Sequence, residues 1–150
     1  MKDIRLRLIA LLKTDFATPQ VARIAKRIAT PSTTIHYNIK RLEEEKAILT
    51  YKAVFDYKKI GEGFCSYVLV SLSPEEYADP EKIARDLAKH PEIESVDICT
   101  GDWEIVLKVR TKDQDAYYDL VRRVLSRKGI SKTKTLMSMK QLKTEFVDLG

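Results

Sequence analysis

Residues 18–42 read TPQVARIAKRIATPSTTIHYNIKRL, two amphipathic helical patterns with the same punctuation in front of each. Thr18-Pro19 offers an N-cap hydroxyl followed by proline at the first helical position, and Thr30-Pro31 repeats the device. Val21, Ala22, Ile24, Ala25 and Ile28 form the apolar side of the first pattern. Only Ala29 and Thr30 remain for the turn before the next helix, so the two must cross steeply and share one small core. That is the helix-turn-helix arrangement. Upstream, Ile4, Leu8, Leu11 and Leu12 recur at helical spacing between Asp3 and Lys13, with Arg5, Arg7 and Lys13 off the stripe, which predicts a preceding amphipathic helix.

The helix after Thr30-Pro31 is read by advancing about 100° per residue. Ile35, Ile39 and Leu42 then share one narrow stripe toward the core, while Thr33, Tyr37 and Lys40 point away from it and His36 and Arg41 flank it. A face of hydroxyl, phenol, imidazole and two cations can bond base edges, touch thymine methyls and reach phosphates, which suits a major-groove recognition helix. No Cys, second His or carboxylate stands three or four residues beyond His36, so a metal site lacks its ligands there. Glu43, Glu44 and Glu45 would repel phosphate at the far end, placing the readout in the N-terminal half. The expected DNA-contact set is Ser32, Thr33, Thr34, His36, Tyr37, Lys40 and Arg41.

Charge is segregated in the same sense. The 150 residues carry a net +5; residues 1–61 hold 13 Lys and Arg against 6 Asp and Glu, and residues 62–150 hold 14 against 16. A positive segment is the electrostatic footprint of a nucleic-acid reader, because neutralising phosphates releases counterions whatever the sequence. At 44% hydrophobic the chain can bury a core. Its apolar runs fall short of a membrane span and its start lacks a signal peptide's apolar core, so a soluble, cytoplasmic, nucleoid-associated protein without a membrane partner is expected. Cys65 and Cys99 form no CxxC pair, and with two His in the chain no metal or cofactor is expected; both cysteines read as small hydrophobes in strands.

The rest of the chain alternates strands and helices. Ile48 to Tyr57 alternates like a strand, Gly61-Glu62-Gly63 breaks it, and Phe64 to Leu72 is a second, buried strand. Asp79-Pro80 opens a helix with the stripe Ile83, Ala84, Leu87 and Ala88, ended near His90 by Pro91. Val96 and Ile98 lead into Thr100-Gly101-Asp102, after which Trp103, Ile105, Leu107 and Val109 alternate with Glu104, Val106, Lys108 and Arg110, giving a hairpin. A helix from Asp113 to Arg127 buries Tyr117, Leu120, Val121, Val124 and Leu125, and past Gly129 a last strand alternates Thr133, Thr135, Met137 and Met139 with Lys134, Leu136 and Ser138. The fold class is therefore α+β: a three-helix helix-turn-helix domain (1–47), a connecting strand and linker (48–62), and a ferredoxin-like βαββαβ domain (63–150). One face of such a sheet carries the helices; the other needs a partner subunit or a ligand.

Thr33-Thr34-Ile35-His36, Arg41-Leu42-Glu43 through Ile48, and Thr100-Gly101-Asp102-Trp103-Glu104, in this order and spacing, resemble the Lrp/AsnC family, the feast/famine regulators of bacteria and archaea. The resemblance spans nearly the whole chain. It implies a transcription regulator on double-stranded DNA, homodimers made through the open sheet faces and assembled up to octamers, and an amino acid or related metabolite held between dimers near the hairpin turn. The family's usual opening Leu-Asp pair is missing, Asn38 stands where the family has Arg, and Trp103 and Glu104 where Tyr and Asp are common. The last two departures bear on base preference and effector identity.

The residues offer an effector site of their own: Thr100, Gly101, Asp102, Trp103 and Glu104, with the hydroxyls of Thr133 and Thr135. Turn amides suit a carboxylate and the acidic pair an ammonium group. The competing reading is an ordinary hairpin that uses Gly and Asp for conformation alone. Two rival functions share this build. A siroheme-decarboxylase-like enzyme needs convergent His and Arg in the second domain, where His90 is the only histidine, and no nucleophile or phosphate-loop motif accompanies it, so a non-enzymatic protein is expected. A low-specificity architectural DNA-binding protein would not need the varied polar face of the third helix.

Overall fold

The computed structural model describes residues 3–150, which divide into two compact units, Met1–Phe55 and Asp56–Gly150. The first holds three helices, α1 (Arg5–Leu12), α2 (Val21–Arg27) and α3 (Ser32–Glu44). Between α2 and α3 the chain turns on Ala29 at φ +50°, and the N–H of Thr30 reaches back to the carbonyl of Ala25 at 3.0 Å. That six-to-one bond is the Schellman closure, made here on alanine instead of glycine. It compresses the connection between α2 and α3 to four residues, the tight turn expected of a helix-turn-helix.

The ends of these helices differ from expectation. Gln20, not Thr18, precedes α2, and Pro31 precedes α3; neither helix has a side-chain cap. The Thr30 hydroxyl instead donates to the carbonyl of Ile28 at 3.1 Å, a local bond that competes with capping. The anticipated core is also thinner. Among the described residues of this unit only Ala25 and Ile35 are buried, while Ile4, Leu8, Leu11, Ile28 and Leu42 remain exposed. A unit of some fifty residues has too much surface for its volume to enclose every apolar stripe.

Residues 48–57, expected as a connecting strand, carry no strand ladder. Single bonds hold the segment in place: Ala53 N–H donates to the Leu12 carbonyl at 2.8 Å, and Ala17 N–H donates to the Tyr51 carbonyl at 3.1 Å. Alternation sorts side chains onto two faces, but a ladder also needs a second chain in register, and none is supplied among the described residues.

The second unit begins with a 3₁₀ turn, Tyr57–Ile60, capped by Asp56 and closed by Gly61 at φ +76°. Four strands follow, β1 (Phe64–Leu72), β2 (Ile93–Ile98), β3 (Ile105–Thr111) and β4 (Ile130–Met137), with α4 (Pro80–Leu87) after β1 and α5 (Gln114–Leu120) after β3. Asp113 caps α5 through the Ala116 N–H at 2.8 Å, and the helix runs on as a π turn over Val121–Leu125. The sheet order is β2-β3-β1-β4, all neighbours antiparallel, which is the ferredoxin-like arrangement. Val68, Val70, Leu72, Ile105, Leu107 and Val109 pack with Ile83, Leu87, Leu120, Val124 and Leu125 in one core. No helix among the described residues is long and apolar enough to cross a membrane.

Alternation puts Cys65, Tyr67, Leu69, Val106, Lys108 and Arg110 on the opposite face. Part of that face is covered by the chain's own last residues. Ser138 N–H donates to the Cys65 carbonyl at 2.9 Å, and a short hairpin follows, β5 (Lys143–Thr144) and β6 (Val147–Asp148). Its turn is Glu145-Phe146, both at positive φ (+47° and +68°), the two-residue geometry that usually selects Asn-Gly. Neither this hairpin nor its covering role is visible in the residue pattern.

Candidate functional site

All seven residues of the expected DNA-contact set are exposed on α3, on the surface left by the inward side chains of Ile35 and the half-buried Ile39. The polar neighbours of this surface are largely occupied within the helix. Asn38 donates from Nδ2 to the Thr34 carbonyl at 2.8 Å, so it turns back on its own backbone. Arg41 Nε pairs with Glu45 Oε1 at 2.8 Å across one exposed helical turn. Glu43 accepts from the Tyr51 hydroxyl at 3.0 Å; desolvation together with that carboxylate raises the phenol's pKa. Two of the three carboxylates at the C-terminal end are therefore engaged, and Thr33, Tyr37 and Lys40 form the exposed line of the N-terminal three turns.

In the second unit, residues 99–104 connect β2 to β3, closed by the Cys99 N–H donating to the Glu104 carbonyl at 2.8 Å. Gly101 has φ +99°, a conformation that excludes most side chains, and open space surrounds the place of a Cβ. Its conformational role is thus met within the subunit. Cys99 is exposed just beyond β2, not buried in a strand as expected. The two acids of the turn part company. Glu104 Oε2 accepts the Leu72 N–H at 3.0 Å, where the β1–β4 register shifts between Ser71 and Leu72 and the ladder leaves a donor over. Asp102 is exposed at the tip.

Trp103 is half-buried with the Lys132 ammonium 5.2 Å from its ring centroid, a cation–π contact that adds Lys132 to the turn. Thr133 and Thr135 are in register with Val70 and Val68, on the helix side of the sheet. Both threonines are exposed, and the Thr135 hydroxyl is bonded to the Tyr117 hydroxyl on α5. Trp103 of the turn thus meets Lys132, and the Thr135 hydroxyl is engaged by Tyr117.

The Lrp/AsnC ligand binding domain model matches residues 65–147, over half of the chain. An uncharacterized HTH-type transcriptional regulator of Pyrococcus furiosus is 34% identical over 131 residues, 87% of each chain. The chain belongs to the Lrp/AsnC family. It is a helix-turn-helix transcriptional regulator. Solved structures share the fold: an AsnC family transcriptional regulator from Agrobacterium tumefaciens superposes with a TM-score of 0.75 at 22% identity, over 95% of this chain and 94% of that one. A Neisseria meningitidis transcriptional regulator in complex with L-Met gives 0.71 at 21% identity, over 84% and 82%.

One cluster of this Lrp/AsnC regulator escapes sequence reading. Glu94 on β2 holds Lys108 Nζ at 3.0 Å through one carboxylate oxygen and Arg110 Nε at 2.7 Å through the other. Burial works against the Glu94 charge, but the hydrogen bonds and fields of Arg110 and Lys108 outweigh it and hold the carboxyl below its ordinary pKa. Lys108 also donates to Thr144 Oγ1 at 2.9 Å and Arg110 to Gln141 Oε1 at 3.1 Å, which anchors the C-terminal segment. His90, the histidine an enzyme would have to use, lies half-buried at the end of α4, and no group of three or more metal-ligating side chains occurs among the described residues.

Proposed function

We propose that this regulator binds inverted-repeat operators on duplex DNA as a dimer or higher oligomer, reads them with the N-terminal half of α3, and responds to an amino acid. Residues 1–47 carry the DNA reading and 63–150 the dimerisation and sensing. The observation that supports this best is the surface of α3: seven residues able to contact bases and phosphates stand exposed around the buried Ile35, within the first 61 residues, which hold thirteen cations against six acids. Cytoplasmic, nucleoid-associated work follows from that role. Selection from random duplex DNA should return inverted repeats with half-sites about one helical turn, or a multiple of it, apart. Recovery of unrelated sequences with equal affinity would favour the architectural reading instead.

Within α3 the roles separate. Lys40→Ala and Arg41→Ala should weaken all sequences alike and each lower the salt slope by about one unit, as expected for one phosphate contact. The Arg41–Glu45 pair does not prevent this, since an exposed ion pair is worth only about 0–1 kcal/mol and yields readily to a phosphate. Thr33→Ala and Tyr37→Ala should shift base preference with the salt slope unchanged. Equal behaviour of the two pairs in binding titrations would refute the assignment.

The effector reading rests on the turn at 100–104, whose amides and exposed Asp102 complement an amino acid's two charges. The Neisseria relative in fold is crystallised with L-Met, which makes L-Met the first ligand to test. A ligand that prefers one assembly state must favour that state, so it should change oligomer size or operator affinity. An amino acid panel should raise the melting temperature of the wild type and not of Asp102→Ala. An equal response in both would leave the turn as a turn.

A further inference from the structure

Lys132 stands beside the hairpin turn because the sheet holds it there. Ser71 on β1 is in register with Lys132 and Leu72 with Ile130, so Ser131 is the extra residue of a β-bulge, a device that re-aims the side chains next to it. The Ser131 hydroxyl donates to the Ser71 carbonyl at 3.1 Å, with the Leu72 carbonyl at 3.4 Å, and the Leu72 N–H is the donor that Glu104 accepts. Glu104 at the start of β3 and Ser131 on β4 are thus tied to the same two residues of β1. From this base the Lys132 side chain reaches the Trp103 ring, its ammonium 5.2 Å from the centroid.

Of the charges at the turn, Glu104 is committed to a backbone donor, while Asp102 and Lys132 are exposed and form no ion pair among the described residues. A neutral turn amide offers a carboxylate only a partial charge, whereas an ammonium makes a charge-assisted hydrogen bond about twice as strong. Lysine carries its charge on a flexible four-carbon stem, and the contact with Trp103 orders that stem before a ligand arrives, which lowers the cost of binding. Lysine on an edge strand such as β4 has another use, since it discourages pairing with other chains. Lys134, two residues on and on the same face, makes no ring contact among the described residues and is the internal control for that role.

We propose that Lys132 is the carboxylate anchor of the effector site, with Trp103 as its platform and Asp102 facing the ammonium group, so that the site selects a free amino acid over its carboxamide or a residue within a peptide. This rests on the reading of the turn as an effector site and goes beyond it by assigning a cation from β4 that the turn itself lacks.

Trp103 is the only tryptophan of the chain, so its emission reports on this turn alone. Titration of the full chain with L-Met, then with the other standard amino acids, should change that emission saturably. The α-carboxamide of the amino acid that binds should bind about tenfold more weakly, the worth of one charged hydrogen bond. Lys132→Met, which keeps the stem and removes the charge, should weaken the acid by about fivefold and leave the amide unchanged, so that discrimination falls to about twofold. Lys132→Arg should keep most of the discrimination, and Lys134→Met all of it. Melting temperature, which a bound ligand raises, is the second readout where a substitution alters the emission itself. Equal discrimination in the wild type and Lys132→Met, or an equal loss in Lys134→Met, would overturn the proposal; a response still abolished by Asp102→Ala would then leave the effector reading standing. No response of the wild type to any amino acid, in emission or in melting temperature, would overturn both.

Discussion

Glu94→Ala is expected to cost about 3–5 kcal/mol of folding stability, measured by denaturant unfolding of the full chain. The side chains of Glu94, Lys108 and Arg110 are only 17%, 15% and 5% exposed. Removing the shared carboxylate leaves two cations desolvated and facing one another, and the loss reflects that uncompensated charge more than the worth of the bridges themselves. Salt will not repair it, because a buried pair is poorly screened. Glu94→Gln should cost less, since one amide oxygen still accepts from one cation. If Glu94→Ala unfolds at the wild-type denaturant midpoint, the cluster is not holding the sheet.

The same group sets an acid limb. With its pKa lower folded than unfolded, Glu94 contributes stability that is fully present above the unfolded value, roughly 4.3, and is lost as pH falls through the folded one. The gap between wild type and Glu94→Ala should therefore narrow on acidification below about pH 4 and stay constant above pH 6. A gap independent of pH over that range would mean that the loss is one of packing.

That cluster marks the boundary of what the residue pattern discloses. The outer face of α3 is legible because one period determines it, and along the expected inner stripe Ile35 is buried and Ile39 half-buried while Leu42 stays exposed. β3 was legible because Ile105, Leu107 and Val109 alternate without exception, and all three are fully buried. The same alternation puts Lys108 and Arg110 on the face away from the helices, but nothing in it pairs them with Glu94. The Tyr57 ring and the return of the C-terminal segment cover them, and that segment's hairpin turns on Glu145-Phe146, which lacks the usual Asn-Gly signal. Residues 48–57 failed in the opposite direction: they alternate, but a strand is a property of a pair. At the hairpin, Asp102 and Glu104 looked equivalent, and it took the register shift at Ser71/Leu72 to commit Glu104 to a backbone donor.

Gly129→Ala is expected to destabilise the second unit by about 2–4 kcal/mol, and the way that cost divides can be measured. The residue sits at φ +96°, where an L side chain is strained by about 1–2 kcal/mol. Its Cβ would also stand 2.7 Å from Ile83 Cδ1 and 3.2 Å from Glu76 Cγ. Ile83 is a core residue, 1% exposed, and cannot withdraw, so overpacking adds about 1–3 kcal/mol. Against this, alanine narrows the unfolded ensemble by about 0.4–1 kcal/mol. Ile83→Val deletes the Cδ1 carbon and alone costs about 0.5–1.5 kcal/mol. In the double variant the steric part should be relieved and the backbone part should remain, giving a favourable coupling of about 1 kcal/mol or more between the two substitutions. Strictly additive losses would place the whole cost in the backbone. In that case the glycine after α5 serves only to turn the chain into β4, where its carbonyl accepts the Ser73 N–H at 2.8 Å, and its contact with the core plays no part.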